Sequence, residues 1–208
     1  MRRPRRQSLR AAPWAALLLV ALPLLAASGA AAQDTASLPF GGAETLRFTP
    51  PPGWTEVYRD AHPDRRVVHL VPAGQSRTDW QDMVTVQVLK TAAPPTLDAL
   101  HARAQAQYEQ ACAAPHGGAL QRGETNGLET GFWTLGCGHN TRSDHGETAF
   151  FKAVRGLEGI YLVQRIWRTA PFDPASGPGI DRGEQRAAIQ LLAKAVVCVP
   201  DSHAHPCP

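Results

Sequence analysis

GLETGFWTLGCGHNTRSDHGETAFFKAVRGLEGIYLVQRIWR, residues 127–168, decides the fold: three runs rich in β-branched and aromatic residues are separated by turn-formers. Residues 128–135, 148–154 and 160–167 read as consecutive strands, with Gly, Asn, Ser and Asp in the breaks, so two antiparallel hairpins are expected. Large apolar groups fall on both alternation faces. Phe150 and Val154 oppose Phe151 and Ala153, and Ile160, Leu162 and Ile166 oppose Tyr161, Val163 and Trp167. A sheet apolar on both faces needs cover on both.

Working outward, Asn126-Gly127 is a strong two-residue hairpin signal that joins residues 119–125 to the strand from Leu128. Before it, Pro115-His116-Gly117-Gly118 reads as a break. Thr96 caps an expected helix over 97–112, with Asp98 in its first turn and a narrow stripe of Leu97, Leu100, Ala104, Tyr108 and Ala111. Further upstream, Val84, Val86 and Val88 alternate with Thr85 and Gln87, and Pro94-Pro95 ends that strand. Residues 54–59 and 66–71 pair through a turn at His62-Pro63-Asp64, and residues 45–49 form a short strand stopped by Pro50-Pro51-Pro52-Gly53. Downstream of an irregular Pro/Gly loop at 171–179, Asp181 and Glu184 have capping-box spacing ahead of a second amphipathic helix carrying Ala188, Ile189, Leu191, Leu192, Ala195 and Val196. The expected class is α+β: a mainly antiparallel sheet of about seven to eight strands with two packing helices.

The first 32 residues read as a signal peptide, with five arginines and no acid before an apolar Ala/Leu run and a small-residue end at Ala30-Ala31-Ala32. Arg5-Arg6 loosely resembles a twin-arginine signal. The run is too short for a membrane span, so a soluble periplasmic or secreted protein is expected, with one domain over 33–197 and a tail over 198–208. The whole chain has 21 basic and 18 acidic residues; without the leader's five arginines, 16 basic remain and the net charge is −2. With no basic run either, nucleic acid is excluded as a partner class.

Four cysteines, Cys112, Cys137, Cys198 and Cys207, in an exported chain point to disulfides. Three pairings are possible. Cys112 with Cys137 and Cys198 with Cys207 is favoured, since each pair spans a single connection between neighbouring elements.

The pieces Pro52-Gly53-Trp54, Trp80–Gln87 (WQDMVTVQ), Phe132–Cys137 (FWTLGC), Phe150–Ala153 (FFKA) and Tyr161–Arg168 (YLVQRIWR) resemble those of a family of small exported bacterial cell-envelope proteins without an assigned activity. The order of elements is similar to the Mog1/PsbP-like α/β sandwich. That resemblance implies a binding or assembly accessory, and it carries no catalytic residue onto this chain.

Candidate chemistry is sparse. Gly-x-Ser-x-Gly, His-Glu-x-x-His, Gly-x-x-x-x-Gly-Lys and Ser-x-x-Lys are absent after residue 32, and no cofactor is implied. The leading expectation is a non-enzymatic cell-envelope accessory that binds a protein or small molecule between sheet and helix, near Trp80, Trp133 and Arg165, with loop residues His139 and His145. Core packing is the plainer reading of the tryptophans. Arg155, Arg165 and Arg168 are a candidate basic face. A Zn²⁺ or copper protein using His203 and His205 is the alternative, weakened if disulfides consume Cys198 and Cys207. A third reading is a small enzyme whose site gathers Asp79, Asp82, His139 and His145 in one cleft.

Overall fold

The structure, a computed structural model, describes residues 36–39 and 43–208, the first four by their backbone alone. The expected signal peptide lies outside the described residues. In chain order the elements are β1 (Ala36–Pro39), β2 (Thr45–Phe48), β3 (Trp54–His62), β4 (Arg65–Pro72), β5 (Asp82–Lys90), α1 (Leu97–Ala111), β6 (Pro115–Gly117), β7 (Gln121–Thr125), β8 (Leu128–Asn140), β9 (His145–Arg155), β10 (Gly159–Thr169), α2 (Arg182–Ala193) and β11 (Val196–Cys198). Eight of these strands form one sheet in the order β3-β4-β5-β10-β9-β8-β6, with β7 also paired to β8; every pairing is antiparallel. The α+β class is as expected.

Local chemistry explains the elements. Asn126 (φ 54°) and Gly127 (φ 76°) both lie in the left-handed region, as a two-residue hairpin with matched strand twist demands. Thr96 accepts from the Ala99 amide at 3.2 Å and Asp181 from the Gly183 amide at 2.6 Å, which caps each helix. Two differences from expectation concern short strands. Residues 115–117 pair with β8 rather than forming a break, and this needs Gly136: a Cβ there would meet the His116 ring at 2.1 Å. The second helix ends at Ala193, so Val196 belongs to β11, which pairs with β2 in a separate sheet ordered β1-β2-β11.

Residues paired across antiparallel strands share a face, so register sorts the side chains. One face of the large sheet presents Val84, Val86, Val88, Val154, Tyr161 and Val163. It is covered by α2 and the small sheet through Leu192, Ala195, Val197, Leu46 and Phe48. On the other face α1 packs Leu97, Leu100, Ala104 and Tyr108 against Trp133, Leu135 and Phe151. Trp80, from the β4–β5 connection, covers Val71 and Met83 on that same face. The narrow stripe on α1 covers only the β8–β9 side, which leaves the β4–β5–β10 side open.

Two buried charges sit in the better-covered half. Glu44, 1% exposed, accepts from the Leu157 amide (2.6 Å), the Glu158 amide (2.9 Å) and the Tyr161 hydroxyl (3.1 Å), pinning the β9–β10 turn. Lys152, also 1% exposed, donates to the carbonyls of Ala193 (3.2 Å) and Ala195 (2.7 Å) at the C-terminal end of α2. Among the described residues, no helix is long and apolar enough to cross a membrane.

Cys112 is bonded to Cys137 and Cys198 to Cys207, the favoured pairing. The first bridge ties the end of α1 to β8. Loop closure over its 25-residue separation contributes about 3–4 kcal/mol, so a Cys112→Ala/Cys137→Ala protein should unfold in urea with a free energy lower by about that amount.

Candidate functional site

The open half of the α1-side face is a cleft of about 500 Å³. Strand alternation builds its floor from Phe151 on β9, Leu162, Gln164 and Ile166 on β10, and Gln87 on β5. One wall is α1, whose Leu100, Arg103, Ala104, Gln107 and Tyr108 recur at helical spacing. Arg65 marks the opposite side, on β4, and Trp133 lies under the helix, stacked on Phe151 with ring centroids 5.1 Å apart.

Glu147 and Tyr108 form a polar pair in this lining. The Tyr108 hydroxyl donates to Glu147 Oε1 at 2.9 Å. Burial raises the Glu147 carboxyl above its ordinary pKa, against the opposing pull of the Tyr108 hydrogen bond, Arg168 and His145. Burial likewise drives the Tyr108 phenol well up, and the neighbouring carboxylate adds to this. On the same sheet face, the His69 ring packs tilted against Tyr58 with centroids 4.9 Å apart, and burial with the nearby Arg77 charge lowers its pKa.

The structure separates the residues singled out in the sequence. Trp133 lines the cleft. Trp80 is buried on the same face, with the Arg168 guanidinium 3.8 Å from its ring centroid. Arg165 lies on the opposite face, where it pairs with Asp82 through two hydrogen bonds (3.1 and 2.7 Å) and sits 4.7 Å from the Trp167 ring. The register also splits the basic trio: Arg155 and Arg168 face the α1 side, and Arg165 does not. Parity alone forbids a common face, since 165 and 168 differ by an odd number on one strand.

His139 and His145 sit at the β8–β9 turn, where His139 Nε2 bonds Asp144 at 2.7 Å. Asp79 is exposed in the β4–β5 connection, and Asp82 is committed to Arg165, so neither they nor the two histidines line the cleft. In the tail His203 is exposed, while His205 Nδ1 donates to the Asn126 carbonyl at 2.9 Å. Among the described residues no three His, Cys, Asp or Glu side chains converge as metal ligands.

Sequence reasoning missed the cleft residues Arg65, Gln87, Arg103, Tyr108, Glu147 and Gln164. Gln164 carried a signal: it interrupts Ile160, Leu162 and Ile166 on one apolar face.

Fold and cleft together define a class, an α+β sandwich whose first helix covers only part of one sheet face. A solved structure shares this fold. The Saccharomyces cerevisiae Ran-binding protein Mog1p aligns with a TM-score of 0.51 at 16% identity, over 84% of this chain and 100% of Mog1p. A mutant of protein Mog1 aligns at 0.41 with 13% identity, over 75% of this chain and 83% of that one. No protein-family model and no curated protein matches the chain.

Proposed function

We propose that this chain is an exported, periplasmic accessory protein that binds a small molecule, or side chains of a protein partner, in the cleft between α1 and the sheet, and does no chemistry on it. The cleft carries the reading. Its volume lies in the range of small-molecule sites, and a mainly apolar floor with a few convergent polar groups is the usual composition of such sites. The Arg-rich leader and two disulfides support export to an oxidising compartment. Mog1p, of the same fold, binds the protein Ran, so the architecture is compatible with a binding role; the analogy is one of fold alone.

Uptake of the neutral fluorophore N-phenyl-1-naphthylamine tests it. The protein should bind one equivalent, and Leu162→Trp, which fills the floor, should weaken binding by about tenfold or more. Absence of uptake, or uptake indifferent to Leu162→Trp, would remove the cleft as the binding site.

A further inference from the structure

We infer that the cleft takes an amphipathic anion: an apolar chain or ring on the floor of Phe151, Leu162 and Ile166, with an acid group held by Arg103 and Arg65. This rests on the binding reading above and adds the ligand's chemical class.

The argument is an inventory of charge and of donors. Three ionisable side chains of strong charge line the cleft, Arg65, Arg103 and Glu147. Arg103 is exposed on α1 and has no carboxylate partner among the described residues. Arg65 pairs with Asp60 at 2.6 Å, but both groups are partly exposed, so the pair is weak and the planar guanidinium keeps donors for a second acceptor. Glu147 already accepts from Tyr108 and lies within reach of the Arg168 charge, so part of its acceptor capacity and charge is already met. The Trp133 indole N–H is buried without an acceptor among the described residues. Donors therefore outnumber acceptors around an apolar floor, and the complement of that pattern is an apolar body ending in an acceptor-only group. A cation or a neutral hydrocarbon would leave Arg103 without a carboxylate and the remaining donors of Arg65 unused.

The probes are 6-phenylhexanoate, 6-phenylhexan-1-ol and 6-phenylhexylamine, each competed against N-phenyl-1-naphthylamine on the full mature protein. The acid should bind about tenfold more tightly than the alcohol, and the amine more weakly than either. In Arg65→Gln/Arg103→Gln, two exposed sites, the acid's advantage over the alcohol should fall below about threefold, read as a ratio within that one protein so that any general change in cleft binding cancels. Equal binding of acid and alcohol, tighter binding of the amine, or an acid preference that survives the double substitution would each overturn the inference and leave the cleft reading standing. Loss of fluorophore binding by the unmodified protein would instead sink the cleft reading, and this inference with it.

Discussion

Glu44→Ala is expected to lower the unfolding free energy by about 3–4 kcal/mol, which for a domain of this size shifts the melting midpoint down by roughly 8–12 °C. The carboxylate is 1% exposed and accepts three hydrogen bonds. Bonds to an ionised acceptor are each worth about 1.5–3 kcal/mol, but Leu157 is exposed and Glu158 half-buried, so water recovers part of the loss at their amides. It cannot easily do so at the Tyr161 hydroxyl, whose residue is 2% exposed in the main core. Alanine would also leave a void beside Gly156, where the Glu44 carboxyl lies close enough that even a Cβ would meet it at 2.4 Å.

The contribution of the tyrosine is separable. A double-mutant cycle of Glu44→Ala with Tyr161→Phe should show a coupling of about 1–2 kcal/mol, because each change deletes the same bond. Urea unfolding of the four proteins measures it. A single-variant loss under about 1 kcal/mol would show that the turn at 156–159 holds without the carboxylate, and that β10, the central strand of the cleft floor, does not depend on it.

What the sequence showed and what it hid follow one physical division. Strands announced by alternation and bounded by turn chemistry were legible: β8, β9 and β10 from their β-branched and aromatic runs, the β7–β8 turn from Asn126-Gly127, both helices from Thr96 and Asp181. Elements held by partners remote in sequence were not. Three-residue β11 is a strand because Val196 lies opposite Arg47, and exposed β6 is one because Gly136 admits His116. The cleft was half visible. A pocket between sheet and helix beside Trp133 was expected, but the stripe on α1, though narrow, reads as adequate cover, and Arg65 and Arg103 come from elements far apart in the chain, with nothing local to mark them. Arg165, expected beside Trp80 and Trp133, lies on the opposite face because its strand parity is that of Trp167 and not of Ile166. The burial of Glu44 and Lys152 has no local signal, since burial of a charge is decided by what packs over it and not by its own neighbours in sequence.

Lys152 gives the sharpest dependence on pH. Burial pushes its ammonium down to about 8 from an ordinary 10.5, although the two carbonyl acceptors and the negative end of the α2 dipole favour the charged form. With a folded pKa below the unfolded one, the unfolded chain holds the extra proton between the two values, so stability rises with pH across that window. Below about pH 8 both states are protonated and the native state carries the full cost of the buried charge. Above about 10.5 both are neutral and the cost is gone, while the amine still donates to Ala193 and Ala195. From roughly pH 7 to 9.5 the wild-type chain should gain about 2 kcal/mol relative to Lys152→Met, which keeps the stem and cannot titrate. The comparison matters because Tyr108 and Tyr161, both raised by burial, act with the opposite sign: near pH 10 the unfolded chain loses phenolic protons that the native state keeps. Those contributions are common to both proteins and cancel in the difference. Urea unfolding at matched pH values is the measurement, and parallel stability curves for the two proteins would show that the Lys152 ammonium is solvated and that the end of α2 does not rest on a buried charge.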